Sequence, residues 1–385
     1  MKKIALIGST GSIGKQVCNV VRRYRDRFQI ESMVASTQAE LFLTQVKEFM
    51  PKYAVLLDEE SGKKIADDIP QGVQFFYGKE KAQEALFYGD IAFIAVAGFA
   101  GLRYSLTAIE YNKTVALANK ETLVCGGALV TETSKKKGVE IVPVDSEHSA
   151  LWQALSFQKD TPFKSLILTA SGGPFYGLSE KELEKVTPKD ALKHPTWQMG
   201  AKITVDSATL LNKGFEVIEA KWLYDCDISK IKTIVHPQSI IHSIVEFEDG
   251  GTLAQMSYPS MELPIQLALT YPERIPCNVP SLDLVKLGSL RFLPLNRKDF
   301  PCYDLALTAL EKGDNYPCAL NGAGEIAVDA FLKEKISFLE IARVIEYALE
   351  KTERMKADNY ALLQETDMRA RAYANEYIKN TKAVE

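Results

Sequence analysis

Long apolar segments, paired cysteines and an excess of positive charge are all missing from this chain of 385 residues. No apolar run reaches the roughly 18 residues of a membrane-spanning helix. The net charge of -4 argues against a nucleic-acid partner. The six cysteines are scattered without a CxxC pair, which argues against a disulfide framework or a zinc site and is typical of reduced proteins. These absences predict a cytoplasmic protein without a membrane or nucleic-acid partner.

The remaining signals divide the chain into four segments. Residues 1–145 alternate strand and helix patterns, which predicts an α/β fold with a Rossmann-like parallel sheet. Residues 146–270 predict a central α+β catalytic and connective domain, and the irregular stretch at 171–200 indicates a flexible lid. Prolines mark 271–300 as a linker, and 301–385 predicts a C-terminal bundle of four helices. Seven strands are expected in the first segment, at residues 3–7, 29–35, 53–57, 73–76, 91–95, 114–117 and 139–144.

A glycine-rich loop, GSTGSIG at residues 8–14, follows the first predicted strand and opens the first predicted helix. Glycines let backbone amides approach a pyrophosphate, so this context favours a dinucleotide site over a simple tight turn. The second predicted strand ends at Ser36, Thr37 and Gln38, where an NAD site usually has a carboxylate. Hydroxyl and amide groups can donate hydrogen bonds to a 2′-phosphate, which favours NADPH.

Two carboxylates, Asp145 and Glu147, follow the last strand of the first segment. In an extended chain, residues i and i+2 point the same way, so both can reach one hard cation such as Mg²⁺ or Mn²⁺. The alternative is an ordinary helix start, with Ser146 as the N-cap and Glu147 in the first turn. This motif alone leaves both interpretations open.

A single long helix is predicted at residues 207–224, with one polar face on an otherwise apolar helix. Asn212, Lys213 and Glu216 share that face. Together with Ser207 near the N-terminus, Asn212 and Lys213 would suit a phosphate, leaving Glu216 as a third metal carboxylate. The alternative is a solvent-exposed Lys213–Glu216 ion pair.

The predicted lid begins at Ser171, followed by two glycines that can turn backbone amides around an anion. His194, Trp197 and Met199 near its end would form the working face of the lid. His194 precedes a proline and therefore lies on extended chain, which disfavours a buried core histidine. Simple core packing is an equally good explanation for Trp197.

Seven stretches together resemble the 1-deoxy-D-xylulose 5-phosphate reductoisomerase family. They read GSTGSIG, ALANKETLV, PVDSEHSALWQ, TASGGPF, HPTWQMGAKITVDSATLLNKGFEVIEA, IVHPQSIIHS and ALNGAGEIAVDAFL, in this order between residues 8 and 332. The resemblance implies a homodimeric enzyme that depends on NADPH and on Mn²⁺ or Mg²⁺. The implied reaction rearranges and reduces a sugar phosphate, 1-deoxy-D-xylulose 5-phosphate, to 2-C-methyl-D-erythritol 4-phosphate in non-mevalonate isoprenoid biosynthesis.

The resemblance also implies a role for each matching residue. The implied metal ligands are Asp145, Glu147 and Glu216. The implied substrate contacts are Lys120, Ser146, Glu147, Ser171, His194, Trp197, Ser207, Asn212, Lys213 and Glu216, of which Lys120, Glu147 and His194 are the expected catalytic residues. The expected cofactor contacts are Thr10, Gly11, Ser12, Ile13, Ser36, Thr37, Gln38, Asn119, Glu121, Met199 and Gly200. His148 is expected to be a structural neighbour of the site.

The chain departs from the family pattern at one place, and two alternative functions are also considered. Family members often carry a glycine and a basic residue after the second strand, where this chain has Ser36, Thr37 and Gln38. A rival enzyme is a metal-independent NADP dehydrogenase of the semialdehyde type, which would need a nucleophile such as Cys125. A rival of another class is a non-catalytic NADP-sensing protein, which has no use for three carboxylates, a phosphate site and a lid together.

Overall fold

The computed structural model describes residues 1–156 and 161–382. The chain divides into two compact units, each built from three stretches of sequence. The first unit consists of Met1–Thr122, Val130–Asp145 and Met261–Val279, and the second of Leu123–Leu129, Ser146–Ser260 and Pro280–Glu385. Among the described residues, no helix has both the length and the apolar character that a membrane span requires. The four-segment division drawn from the sequence stays a prediction beside this arrangement.

Strands and helices are numbered along the chain. The strands are β1 (Lys2–Ile7), β2 (Phe28–Ala35), β3 (Tyr53–Leu56), β4 (Gln74–Tyr77), β5 (Ile91–Ile94), β6 (Thr114–Leu117), β7 (Ile141–Pro143), β8 (Phe163–Ala170), β9 (Ile231–Val235), β10 (Ile241–Phe247) and β11 (Thr252–Met256). The helices are α1 (Ser12–Arg23), α2 (Ala39–Phe49), α3 (Glu59–Ile65), α4 (Ala100–Glu110), α5 (Glu121–Lys137), α6 (Ser146–Ser156), α7 (Glu180–Leu183), α8 (Pro188–Ala191), α9 (Ala201–Ala208), α10 (Leu211–Leu223), α11 (Glu262–Thr270), α12 (Leu284–Leu287), α13 (Pro301–Lys312), α14 (Tyr316–Leu332), α15 (Glu340–Lys351) and α16 (Tyr360–Lys382).

The first unit contains the parallel sheet that the sequence predicts. Among the described residues its seven strands run in the order β4-β3-β2-β1-β5-β6-β7, and every neighbouring pair is parallel. The central strands are apolar on both faces because helices cover both, and Ile4 to Ile7 of β1 are fully buried. The strand order reverses beside β1, so the loop after β1 lies at the point where such sheets bind ligands.

Helix α11 and the residues that follow it belong to the first unit, although they are distant from it in sequence. The ammonium group of Lys2 donates to the carbonyl oxygens of Leu269 (3.0 Å) and Tyr271 (3.2 Å). Arg27 pairs with Glu273 at 2.8 Å. Buried Ile265 adds an apolar contact surface on α11, which packs against α1. Sequence spacing carries no sign of this return of the chain.

The second unit combines a mixed sheet with the C-terminal helices. The sheet order is β11-β10-β8-β9, in which β8 and β9 are parallel and β10 is antiparallel to both of its neighbours. The predicted hairpin turn joins β10 to β11, and Gly250 has the positive φ of +87° that such a turn requires. Helix α14 packs on α15 and α16, and α13 packs on α10, as expected for a helical bundle. Phe215 and Phe331 are buried in this core.

The single helix predicted at 207–224 is wrong, because two helices, α9 and α10, occupy this stretch. Leu210 lies between them in the left-handed region, with a φ of 60°. This conformation costs a leucine about 1–2 kcal/mol. Burial of the side chain, which is only 4 % exposed, contributes about 1.5–3 kcal/mol and offsets that cost. The break leaves Ser207 on α9 and Lys213 on α10.

Candidate active site

The glycine loop of the first unit is shaped for close backbone approach. Gly8 has a φ of +93°, and a Cβ atom there would lie 2.6 Å from the carbonyl oxygen of Ala95. A Cβ atom on Gly14 would lie 2.2 Å from the carbonyl oxygen of Gly8. The loop therefore requires glycine at both positions, and it leads directly into α1. Because the first turn of a helix has amide groups without intrahelical partners, the predicted contacts Thr10 to Ile13 lie where an anion is favoured.

The residues predicted to select the cofactor follow β2, next to the glycine loop. The amide groups of Gly8 and Ser9 donate to the carbonyl oxygen of Val34 on β2, at 2.8 and 3.0 Å. One residue beyond β2, the side chains of Ser36, Thr37 and Gln38 are all exposed and carry no formal charge. The stretch therefore offers hydrogen-bond donors to a phosphate but no ion pair.

Asn119 uses its side-chain amide to hold the surrounding loops. Its Nδ2 donates to the carbonyl oxygens of Val96 (3.0 Å) and Gly98 (3.1 Å) and to Oε2 of Glu121 (2.8 Å). Its Oδ1 accepts from both the amide (2.9 Å) and the hydroxyl (2.6 Å) of Thr122. Since these partners engage the amide on every side, Asn119 ties the surrounding loops together.

Lys120 and Asp145 form an ion pair within the first unit. The ammonium nitrogen lies 3.1 Å from Oδ2 of Asp145, and Lys120 is buried. Asp145 ends the second stretch of this unit, and the chain passes directly from it to Ser146 and Glu147 at the start of α6. Glu147 lies in the first turn of α6 as predicted, but Ser146 is the first residue of the helix and not its N-cap. The helix start coexists with the carboxylate motif instead of excluding it.

In the second unit, α6 and α10 bring together two predicted metal carboxylates around Lys213. The Lys213 ammonium donates to Oε1 of Glu147 at 2.7 Å, to Glu216, and to the carbonyl oxygen of Thr169 at 2.6 Å. Asn212 donates to Oε1 of Glu216 at 2.6 Å. Lys213 and Glu216 are only 4 % and 1 % exposed, so the interpretation as a solvent-side ion pair is wrong.

The electrostatics of this cluster favour a cation. Burial opposes the charge on Lys213, but Glu147 and Glu216 outweigh it and hold the pKa of the lysine above its usual value. An ammonium ion thus occupies a position between two carboxylates, which shows that their oxygens suit a positive charge. Carboxylate oxygens are the donors that Mg²⁺ and Mn²⁺ prefer, so these side chains fit the predicted metal.

His194 joins the two serines predicted to bind phosphate. Its Nδ1 accepts hydrogen bonds from the amides of Thr196 (3.3 Å) and Trp197 (2.9 Å). Its Nε2 lies 3.0 Å from the hydroxyl of Ser171 and 3.2 Å from that of Ser207. Because Nδ1 accepts, the neutral ring carries its proton on Nε2 and donates toward the serines. Burial lowers the pKa of His194, which favours this neutral form.

The predicted lid contains two short capped helices, α7 and α8, and ends at Gly200 before α9. Trp197 is half-buried, and its ring centroid lies 6.0 Å from that of His242. Met199 is also half-buried and Gly200 is exposed. Partial exposure of Trp197 fits a surface that covers a ligand better than it fits core packing.

The sequence did not indicate Thr169 or Glu219 as parts of this site, and it indicated His148 only as a structural neighbour. Thr169 accepts from Lys213 through its backbone oxygen, and its hydroxyl donates to the backbone oxygens of Ile241 and His242, both at 2.7 Å. His148 and Glu219 are buried next to this cluster and contact each other. The available signal for Glu219 was its i, i+3 spacing from Glu216 on an otherwise apolar helix.

The structure does not support the semialdehyde dehydrogenase alternative. Cys125 is only 2 % exposed and lies against Cys318 in the second unit. Burial, followed by the neighbouring Cys318, raises the pKa of the Cys125 thiol well above its usual value. A thiol that resists ionisation is a poor nucleophile.

We therefore expect iodoacetamide at pH 7.5 to leave Cys125 unmodified in the native protein, because the reagent requires an accessible thiolate. Peptide mass mapping after brief treatment measures this directly, and urea-unfolded protein provides the fully alkylated control. Rapid alkylation of native Cys125 accompanied by loss of NADPH oxidation would revive the alternative.

The fold and the site define an NADP-type oxidoreductase with a Rossmann-like unit and a second unit that contains the buried carboxylate–lysine cluster. Three family models match the chain. The model for 1-deoxy-D-xylulose 5-phosphate reductoisomerase matches residues 4–127, and the model for the 1-deoxy-D-xylulose 5-phosphate reductoisomerase C-terminal domain matches residues 141–224. A further model, for the DXP reductoisomerase C-terminal domain, matches residues 256–373. The chain belongs to the 1-deoxy-D-xylulose 5-phosphate reductoisomerase family.

Individual relatives resemble the chain over nearly its full length. It is 48% identical over 352 residues to the 1-deoxy-D-xylulose 5-phosphate reductoisomerase of Caldanaerobacter subterraneus subsp. tengcongensis, covering 91% of this chain and 92% of the relative. It is 43% identical over 389 residues to that of Heliobacterium modesticaldum, covering 100% and 99%. A crystal structure of DOX-P reductoisomerase in complex with NADPH, fosmidomycin and magnesium superposes with a TM-score of 0.94 at 36% identity, covering 99% of both chains.

Proposed function

We propose that this protein converts 1-deoxy-D-xylulose 5-phosphate to 2-C-methyl-D-erythritol 4-phosphate in non-mevalonate isoprenoid biosynthesis, with NADPH and a divalent metal ion. The observation that carries the proposal is the family relationship, at 48% identity over 91% of the chain. The buried carboxylate–lysine cluster supports it, because this arrangement serves no purpose in a simple nucleotide sensor.

NADPH binds at the glycine loop of the first unit. Residues 10–13 hold the pyrophosphate with backbone amides at the start of α1. Ser36, Thr37 and Gln38 donate hydrogen bonds to the 2′-phosphate, and Glu121, Met199 and Gly200 complete the predicted contacts. Asn119 orders the loops below the cofactor. When bound, NADPH supplies the hydride for the reduction step.

Asp145, Glu147 and Glu216 hold Mn²⁺ or Mg²⁺. The fit rests on the Lys213 ammonium, which shows that Glu147 and Glu216 accept a cation between them. When bound, the ion supplies Lewis-acid chemistry that polarises the ketone of the substrate. Lys120 and Ser146 donate hydrogen bonds to the oxygens of the sugar backbone, and Glu147 is the proposed proton carrier at that end.

The phosphate of the substrate binds to Ser171, Ser207, Asn212 and Lys213. His194 is neutral with its proton on Nε2, so it donates a hydrogen bond toward the same group. Closure of the lid with Trp197 excludes water, and binding of the remote phosphate contributes the free energy for closure.

We propose that the protein is a homodimer in the cytoplasm. All six cysteines are free thiols in the structure, as expected for a reducing compartment. Light scattering coupled to size exclusion measures the assembly, and a dimer has twice the chain mass of 42.8 kDa.

The decisive experiment follows NADPH absorbance with 1-deoxy-D-xylulose 5-phosphate and Mn²⁺. We expect a substrate-dependent fall in absorbance that stops on chelation and returns with added Mn²⁺ or Mg²⁺, because the polarisation of the ketone needs the ion. Folded protein, verified by circular dichroism, that leaves the absorbance unchanged contradicts the proposed function. Activity that persists after chelation contradicts its metal dependence.

A further inference from the structure

His148 and Glu219 form a buried pair beside the proposed metal carboxylates. Nε2 of His148 lies 3.2 Å from Oε2 of Glu219. His148 is 0% exposed and Glu219 is 3% exposed. Glu219 lies one helical turn after Glu216 on α10, so the same face of α10 presents both carboxylates toward α6.

The backbone of His148 is also attached to α10. The hydroxyl of Tyr224, which follows the end of α10, donates to the carbonyl oxygen of His148 at 2.6 Å. The ring centroids of the two residues are 6.2 Å apart. His148 therefore meets α10 and the residue after it at two points, with its ring nitrogen beside Glu219 and its carbonyl group hydrogen-bonded by Tyr224.

These two attachments add to the packing of α6 on β10 and β11 in setting the orientation of its first turn. Glu147 and His148 are consecutive in that turn, so their side chains leave the helix about 100° apart. Glu147 contacts Lys213 in one direction, and His148 contacts Glu219 in another. The two contacts together restrain this turn against rotation about the helix axis.

Stability alone does not require a carboxylate at this position. Moving a carboxylate out of water costs free energy that an apolar residue of similar volume would not, and replacing buried ion pairs by apolar residues is often neutral or stabilising. Glu219 lies among buried residues of α10, where an apolar side chain would pack. A function in orientation accounts for the charged group.

We propose that Glu219 is a positioning residue, which acts through His148 to hold Glu147 in the orientation needed for metal binding and turnover. The inference rests on the proposed function, since it assigns Glu147 to the metal. Outer partners that orient metal ligands have measurable effects on both metal affinity and rate.

The test is Glu219→Gln in the full-length protein, with Mn²⁺ affinity measured by electron paramagnetic resonance titration and with steady-state kinetics. We expect about tenfold weaker Mn²⁺ binding and about tenfold lower kcat, with the KM for NADPH unchanged. His148→Asn should have the same effects, and the double variant should be no worse than either single variant, because both disrupt one pathway. Mn²⁺ affinity and kcat within about twofold of the parent protein, or losses that multiply in the double variant, overturn the proposal.

Two further variants make the result specific. Glu31→Gln changes another buried carboxylate, paired with Lys52 at 3.0 Å in the first unit, and should leave Mn²⁺ affinity unchanged. An equal loss in Glu31→Gln would mean that general destabilisation causes the effect, and the proposal fails.

If Glu219→Gln does not fold, Tyr224→Phe tests the second attachment and should weaken Mn²⁺ binding about threefold. Parental Mn²⁺ affinity in folded Tyr224→Phe then overturns the inference. A parent protein that binds Mn²⁺ but does not oxidise NADPH refutes the proposed function separately.

Discussion

Replacing Glu216 by glutamine should reduce turnover about 10²–10³-fold while the protein remains folded, because the loss of one ligand removes roughly 3–4 kcal/mol of Lewis-acid stabilisation. Glutamine keeps the shape of the side chain, and its single oxygen can still accept from one of the two donors, Asn212 or Lys213, so we expect destabilisation of about 1–2 kcal/mol. The measurements are kcat with saturating Mn²⁺, the Mn²⁺ affinity and the midpoint of urea unfolding.

Glu325→Gln is the matched control for Glu216→Gln. Glu325 also lies on a helix of the second unit and pairs with Arg371 at 2.6 Å, but it belongs to the C-terminal bundle. We expect turnover close to that of the parent protein. If Glu216→Gln retains both the parental rate and the parental metal affinity, Glu216 is not a metal ligand.

Replacing Lys213 by methionine should destabilise the metal-free protein by about 3–5 kcal/mol, because it leaves two carboxylates without their buried partner. Mn²⁺ should recover part of this loss, since a cation bound by the same carboxylates stabilises only the folded state. The thermal unfolding midpoint, measured with and without MnCl₂, reports both effects. Turnover should also fall, because Lys213 is a proposed phosphate contact.

The control for Lys213→Met is Lys232→Met. Lys232 pairs with Glu246 at 3.1 Å, but its side chain is 51% exposed, and such pairs contribute about 0–1 kcal/mol. Its substitution should change the midpoint little and should not alter the response to Mn²⁺. A metal-free Lys213→Met protein as stable as Lys232→Met would mean that the buried cluster is not electrostatically coupled.

The parallel sheet was predictable because its signals are local. Each of the seven predicted strands is a short apolar run, and each corresponds to one of β1 to β7. The glycine loop was predictable for the same reason, since the requirement at Gly8 and Gly14 concerns neighbouring backbone. The family resemblance covered the same loop and the carboxylate motifs independently.

The break at Leu210 was not predictable from spacing. Leucine is a good helix former, and the polar residues on either side of it keep a helical period. Burial of the Leu210 side chain offsets the free-energy cost of its left-handed conformation, and that burial depends on the tertiary fold. Ser207 and Lys213 consequently lie on separate helices.

The burial of the charged residues could not be predicted from the sequence either. A lysine and a glutamate three residues apart look identical on an exposed face and in a buried one. Burial of Lys213 and Glu216 follows from α6 and β8, which contribute Glu147 and the carbonyl oxygen of Thr169. The same limit hid the pairing of His148 with Glu219, whose partners are far apart along the chain.

The division of the first unit into three stretches sets an order for its completion during synthesis. Its last stretch ends at Val279, long after Asp145 closes the main part of the sheet-bearing sequence. At about 5–20 residues per second, the ribosome needs on the order of ten seconds to deliver α11 after β7 has emerged. During this interval the surface of α1 that α11 covers is bare. A fragment that ends at Asp145 would keep that surface bare permanently, so the nucleotide-binding unit should be produced with residues 261–279 attached.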